Sequence, residues 1–390
     1  TRRAGIHAMA AHVTEDISER ILPILGKFNP VNSPLEAPCK LEAESKIDEF
    51  TQVIALALFD YLRKSRAWGF VVSMSGGADS SACAVLIRSM VERGIQDLGL
   101  DEFKSRLSYI PKLTEASSVD TLMHCLFAGI YQATRNSSEE TRNAAEKMTR
   151  GVGGNYYEID VDDIVQRYTT AIEKTIEREL TWQQDDIALQ NIQARTRSPS
   201  VWMLTNIRNA LLLSTSNRSE AAVGYATMDG DTSGGLSPIA GIDKAFLREW
   251  LRGIEIHGSA GVKSVSVLQV VNAQQPTAEL RPREYGQTDE GDLMPYALLD
   301  HIERLAIRDK LSPTEILETL RREHPEYSAC QLTTWVRRFF TLWSRNQWKR
   351  ERYAPSFHVD DKNLDPKTWC RFPILSGGFQ YELAQLPSPD

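Results

Sequence analysis

Six consecutive residues, Ser75-Gly76-Gly77-Ala78-Asp79-Ser80, hold the most legible chemistry in this chain. The apolar run Gly69-Phe70-Val71-Val72-Ser73-Met74 precedes them, and a helical pattern over residues 81–91 follows. A strand, a small-residue turn and a helix start therefore coincide. Such a turn offers backbone N–H groups and the positive end of a helix dipole to an anion. Gly76 and Gly77 have no Cβ to obstruct a phosphate, and Ser75 and Ser80 add hydroxyl donors. Asp79 adds a carboxylate, which repels phosphate unless a cation such as Mg²⁺ lies between them.

The turn has no lysine and does not follow the G-x-x-x-x-G-K-[ST] pattern. It resembles the S-G-G-x-D-S signature of the ATP pyrophosphatases. That resemblance implies a site that holds the β,γ-pyrophosphate of ATP and cleaves between the α and β phosphates. The competing reading is an ordinary glycine-rich β–α turn with a Ser or Asp cap.

Four later segments extend the resemblance. They are Asn191-Ile192-Gln193-Ala194-Arg195-Thr196-Arg197, the stretch from Ser214 to Tyr225, the stretch from Gly230 to Ile239 followed by Lys244, and Pro276-Thr277-Ala278-Glu279-Leu280 with Gln287-Thr288-Asp289-Glu290 after it. In this order, over about residues 47–375, the set resembles NAD synthetase. The resemblance implies that ATP adenylates the nicotinate carboxylate of deamido-NAD, releasing pyrophosphate, and that ammonia then displaces AMP to give NAD. Adenylation neutralises the carboxylate and supplies a better leaving group. Two anions must meet, so cations must screen the encounter.

The resemblance also implies roles. Asp79 and Glu220 match the family's Mg²⁺ ligands, Lys244 its phosphate-binding lysine, and Thr277 its loop that closes over the phosphates. Ser75, Gly76, Gly77, Ser80 and Thr215 are expected at ATP. Arg195, Asp231 and Glu279 are candidates for holding deamido-NAD or ordering the loops around it. Taken singly, Glu220 reads as a helix N-terminal acid, Lys244 as a solvated helix lysine, Thr277 as a turn residue and Arg195 as a surface arginine. A homodimer is implied too, with Trp202 and neighbouring helices as interface candidates. The rival readings are another ATP pyrophosphatase ligase, such as GMP or argininosuccinate synthetase, a tRNA-modifying enzyme, or a non-catalytic adenine-nucleotide module.

The chain also departs from the family pattern. Gln274 and Gln275 stand where a lysine often precedes the Pro-Thr/Ser-Ala motif, so that charge is missing or moved to Lys263, Arg281 or Arg283. Tyr131-Gln132-Ala133-Thr134-Arg135 replaces a Met-Pro turn near the adenine. The segments 346–355 and 371–374 look like the tail of the long, glutamine-dependent members, whose amidase domain residues 1–45 are too short to supply. Free ammonia is the expected nitrogen source, with a glutaminase domain or partner as a further supplier.

Strands alternating with helices must position these residues. The expected class is α/β: a doubly wound, Rossmann-like parallel sheet of ATP-pyrophosphatase type with a helical C-terminal region. The expected units are an appendage over 1–45, the synthetase domain over 46–294, and a helical extension over 295–390. Residues 17–22 suggest a short helix and 28–34 a linker. Residues 47–61 have helical spacing. Residues 93–120 read as irregular, 122–131 as a buried strand, 137–148 as a helix capped by Ser137 or Ser138, and 155–160 as a strand. Helices follow over 163–180 and 185–194, then a buried strand ending in a polar turn over 211–215. Residues 279–292 read as a mobile lid. Trp335, Phe339 and Trp343 recur every four residues, which favours a packed aromatic face over base stacking.

A net charge of −7 over 390 residues argues against nucleic-acid binding as the main task. No apolar run reaches the roughly 18 residues of a membrane span. Five scattered cysteines, including Cys39 in a proline-containing linker, fit reduced thiols in a cytoplasmic enzyme.

Overall fold

The computed structural model describes residues 45–388 except 260, 275, 276, 278 and 283–287. The expected helix at 17–22, the linker at 28–34, Cys39, Gln275 and Arg283 lie outside the described residues. Among those described, strands β1 (Phe70–Ser73), β2 (Phe127–Ala133), β3 (Asn155–Asp160) and β4 (Leu211–Leu213) form one sheet in the order β3-β2-β1-β4. Every pairing is parallel, with Phe70 opposite both Phe127 and Leu211, and Ala128 opposite Asn155.

Both faces of the central strands are covered, which is why β1 reads as an unbroken apolar run. Phe70 and Val72 point into the large core with Leu58 and Leu86. Val71, Ala128, Ile130 and Leu212 point the other way, onto Val201. Helices α1 (Lys46–Ser65) and α2 (Ala78–Leu98) serve the first face. After β1 the chain builds β2 and β3 on one side, then returns to add β4 on the other. The crevice at this reversal opens at the carboxyl ends of β1 and β4, where α/β sheets bind ligands. The Ser75 turn and the Thr215 turn both emerge there.

Two boundaries differ from expectation. Residues 93–120 are mostly helical: α2 runs on to Leu98, Gly99 (φ +77°) breaks the chain, and α3 (Leu100–Arg106) follows. Phe103, Leu107, Ile110 and Leu113 are buried at near-helical spacing, a stripe hidden among polar residues. The apolar run at 122–131 divides into α4 (Val119–Leu126), opened by a Ser118–Thr121 capping box, and then β2. Periodicity cannot separate a buried helix end from a strand that continues it.

The next helices are α5 (Glu139–Gly151), α6 (Asp162–Ile176) and α7 (Trp182–Ile207). Ser138 caps α5 by accepting from the N–H of Thr141, which holds the third helical position. Helix α6 ends before residue 180, and α7 runs past 194, with Pro199 inside it and a kink at Asp185. Beyond β4 come α8 (Arg218–Val223), α9 (Lys244–Ile256), α10 (Gln269–Asn272), α11 (Asp289–Asp292), α12 (Tyr296–Glu303), α13 (Pro313–Glu323), α14 (Ala329–Arg345) and α15 (Gln347–Arg350).

These C-terminal helices build a second core that takes in Ala222 and Val223 of α8. Within α14, the Phe339 and Trp343 rings stack at 6.4 Å and both are buried. Trp335 meets the edge of Tyr327 at 5.0 Å. The aromatic face is packing. Trp343→Ala is expected to lower unfolding stability by about 3–5 kcal/mol, read from urea denaturation. A loss of only a few tenths would show that this core contributes little.

Candidate active site

The Ser75–Ser80 turn is braced from within. The Ser75 N–H donates to Ser80 Oγ at 3.2 Å, the Gly77 N–H donates to Ser75 Oγ at 3.2 Å, and Ser80 Oγ donates to the Gly77 carbonyl at 3.3 Å. Ser80 is buried and steadies the turn, whereas Ser75 and Gly77 line an open cleft. Gly76 sits at φ +80°, and a Cβ there would lie 2.1 Å from the Thr141 carbonyl oxygen. Only glycine fits this close crossing of turn and helix.

Asp79, in the first turn of α2, meets Glu220, in the first turn of α8. The Lys244 ammonium ion-pairs with Asp79 Oδ2 and lies 3.3 Å from Glu220 Oε1. Lys244 is 2% exposed. Asn217 joins the two acidic helices: its Nδ2 donates to Asp79 Oδ1 at 3.0 Å, and its Oδ1 accepts from the Glu220 N–H at 3.0 Å. Burial alone would lower the Lys244 pKa, but Asp79 and Glu220 outweigh it and keep the amine protonated. Burial pushes the Glu220 carboxyl up, against the pull of Lys244.

Asp289, in the last of the motif segments, has no role implied by the resemblance. It is 6% exposed, and its Oδ1 has no hydrogen-bond partner among the described residues. The Tyr296 hydroxyl donates to its Oδ2 at 3.3 Å, and its field reaches Lys244, Glu220 and Asp79. Three largely buried carboxylates thus face one ammonium. Oxygen donors with an excess of negative charge suit a hard divalent cation such as Mg²⁺, which needs few carboxylates when phosphates supply the rest. Among the described residues no cluster of three ligating side chains is already closed around a metal position.

Arg218 holds this centre from behind. It is 1% exposed and pairs with Asp243 at 2.7 Å, Glu303 at 3.0 Å and Asp360 at 3.0 Å, while donating to the Gly241 carbonyl at 2.7 Å. Asp243 in turn caps α9, one residue before Lys244. The carbonyls at the C-terminal end of α8 are met from the tail: Arg350 donates to Ala222 at 2.8 Å, Asn346 to Val223 at 2.7 Å and Lys349 to Gly224 at 2.7 Å. A six-residue helix cannot persist on its own hydrogen bonds. Its orphan carbonyls are satisfied by the C-terminal region.

Thr277 and Glu279 line the same cleft as Ser75. The Glu279 carboxylate accepts from Thr141 Oγ1 at 2.8 Å and from the Ser138 N–H at 3.3 Å, at the start of α5. The described ends of the expected lid are fastened rather than loose. The Leu280 carbonyl accepts from Gln193 at 2.7 Å, and Arg281 bridges Asp186 at 2.8 Å and Asp292 at 3.0 Å. Arg281 is therefore engaged elsewhere and does not replace the missing loop lysine. Arg248 and Arg252 of α9 line the cleft instead, a placement that motif reading did not reveal. Their spacing of four residues down the helix from Lys244 was the available signal.

A second cavity is lined by Thr215, Asp231, Gly230 and Ser233. Asp231 Oδ2 accepts from the Thr227 N–H at 2.7 Å. Arg195 lines neither cavity. It is exposed and donates to the Met228 carbonyl at 3.0 Å, whereas Arg197, two residues on, lines both.

A phosphate turn and an acidic pair at the reversal point of a parallel sheet define a nucleotide-binding α/β protein of the ATP-pyrophosphatase type. A family model described as NAD synthase matches residues 50–352, so the chain belongs to the NAD synthase family. It is 31% identical over 326 residues to a glutamine-dependent NAD(+) synthetase from Oryza sativa subsp. indica, covering 78% of this chain and 44% of that one. It is 31% identical over 333 residues to its counterpart in Aquifex aeolicus, covering 85% and 49%. The chain thus spans about half the length of the curated relatives it matches. Among solved structures, a glutamine-dependent NAD(+) synthetase from Cytophaga hutchinsonii superimposes with a TM-score of 0.76 at 46% identity, over 86% of this chain and 55% of that one. An NMN synthetase from Francisella tularensis, with a TM-score of 0.54 at 19% identity, covers 78% and 95% and shares the fold.

One carboxyl near the centre is placed to sense pH. Asp300 is pushed up to about 7 by burial and by Asp243, against hydrogen bonds from Ser219 and from the Ala245 N–H. The fold thus holds a proton that the unfolded chain loses near its ordinary value of 3.8. Stability should fall as pH rises from about 4 to 7, by this group's contribution. Asp300→Asn should flatten that part of the profile, compared by urea unfolding at pH 5 and pH 8. An unchanged slope would show that Asp300 ionises freely.

Proposed function

We propose that this chain is the synthetase part of an NAD synthetase, a carbon–nitrogen ligase. It takes ATP and deamido-NAD, forms an adenylated dinucleotide with release of pyrophosphate, and converts it with ammonia to NAD and AMP. The observation that supports this most is the meeting of Asp79 and Glu220 at one ammonium beside the Ser75 turn. Ser75, Gly76 and Gly77 would cradle the β,γ-pyrophosphate with Thr277, Arg248 and Arg252, while Ser80 keeps the turn in shape. Lys244 would turn from the carboxylates to the phosphates. Asp79 and Glu220 would hold Mg²⁺, with Asp289 contributing charge; when bound, the ion supplies charge screening and Lewis acidity. Asp231, in the second cavity, would receive the nicotinate end of deamido-NAD, and Thr215, which lines that cavity together with Ser75, would contact ATP. Glu279 would order the entrance.

The nitrogen source in this reading is ammonia, made available by glutamine hydrolysis on a separate domain or subunit. The cytoplasmic location expected from the cysteines belongs to the same proposal. The carboxylate oxygen attacks the α-phosphorus, an O–P bond forms, and the bond from the α-phosphorus to the bridging oxygen breaks with its electron pair leaving on pyrophosphate. Ammonia then attacks the acyl carbon, a C–N bond forms, AMP departs with the electron pair of the breaking C–O bond, and the nitrogen releases one proton to solvent. Incubation with ATP, Mg²⁺, deamido-NAD and ammonium should give NAD with AMP and pyrophosphate in equal amounts. ATP binding without turnover would favour a non-catalytic module. Asp79→Ala and Glu220→Ala should each lower pyrophosphate release by at least about 100-fold. Normal release in either variant removes that residue from the metal role.

A homodimer fits the apolar surface. Ile164, Tyr168, Ile172 and Ile176 form an exposed stripe along α6, and Met203 and Ile207 stand exposed on α7 beside Trp202. Patches of this kind mark protein contacts. Arg195 is exposed on α7 as well, so a dinucleotide held there would lie near such an interface. The wild type should run at dimer mass in light scattering, and Ile172→Glu with Ile207→Glu should shift it to monomer. A monomeric wild type would end this reading.

A further inference from the structure

Three residues line both cavities: Ser73, Ser75 and Arg197. Arg197 is the charged one. It projects from α7, and its Nε is sequestered from solvent without any hydrogen-bond partner among the described residues. No carboxylate among them lies within ion-pair distance of its guanidinium, although the fields of Asp231, Tyr131 and Glu279 reach it. Its backbone is fixed, because the Arg197 carbonyl accepts from Ser200 Oγ at 2.8 Å and from Gln132 Nε2 at 3.2 Å. A guanidinium whose Nε is shut off from water and left unpaired is costly, and native folds keep such groups where an anion completes them.

We propose that Arg197 is a catalytic residue that contacts the α-phosphate of ATP at the divide between the cavities. This assignment rests on the function read above. The pyrophosphate end of ATP lies with the Ser75 turn in the first cavity, and the dinucleotide carboxylate enters from the second. The new O–P bond therefore forms across the divide, where both reactants are anionic. The guanidinium presents N–H donors in a planar fork, matched to a phosphate oxygen on one side and a carboxylate oxygen on the other. Negative charge gathers on the α-phosphate oxygens as the carboxylate attacks and pyrophosphate leaves. A fixed donor aimed there stabilises the transition state more than it stabilises bound ATP.

The test measures single-turnover pyrophosphate release that depends on deamido-NAD, with ammonia omitted so that adenylation is seen alone. Arg197→Gln should slow this step by about 10²–10³-fold. Its Kd for α,β-methylene-ATP should stay near the wild-type value. Arg197→Lys keeps the charge but not the fork, and should fall between the two. Added guanidinium ion should restore part of the rate in a folded Arg197→Ala protein and leave the wild type unchanged, a response that loss of structure would not give. Unaffected release in Arg197→Gln overturns the assignment. So does a loss of ATP affinity as large as the loss of rate, since that describes a plain ATP anchor. A wild-type chain that releases no pyrophosphate with deamido-NAD overturns the functional reading and this assignment with it.

Discussion

One ammonium sets the terms of this site. Asp79 and Glu220 come from different helices, 141 positions apart in the numbering, and largely leave water together. Two carboxylates so placed repel unless a cation lies between them. Lys244 is that cation in the ligand-free chain. Its position explains the N-terminal junctions of α2, α8 and α9, which all converge on it. It also fixes the electrostatics: Asp79 and Glu220 are held together around one positive charge.

That centre leans on the C-terminal region more than the motifs suggest. Helix α8 has six residues and holds Glu220 in its first turn. Its far end is capped by Asn346, Lys349 and Arg350, and its near end is tied through Arg218 to Glu303 and Asp360. Removing one side of a buried ion network strands the other, typically at about 3–5 kcal/mol. The tail segment that resembles the long family members is thus part of the active-site frame. Its Lys349 and Arg350 serve backbone carbonyls at the end of α8, while Arg352 pairs with Asp229.

Local chemistry was legible where the backbone itself imposes the residue. Gly76 must be glycine because the turn crosses Thr141 at φ +80°. The Asn155–Asp160 strand and the Leu211–Leu213 strand could be read because turn formers bound them on both sides. Residues 93–120 misled because the buried stripe Phe103, Leu107, Ile110 and Leu113 is diluted by charged neighbours. The boundary at Phe127 was invisible because helix and strand share one apolar run.

Sequence by itself determined the small-residue turn after β1, the alternation that builds a parallel sheet, and the identity of the carboxylates and lysine that meet. Those features depend on neighbours along the chain, or on motif order, and both survive without coordinates. Tertiary structure alone decided that Ser80 braces rather than lines the cleft, that Arg281 is tied to Asp186 and Asp292, and that Arg197 stands between two cavities while Arg195 faces outward. Arg195 and Arg197 lie on one helix two residues apart, and a step of two turns a side chain by about 200° around the axis. Which of them meets the site depends on how α7 packs against the sheet, and no local pattern encodes that rotation.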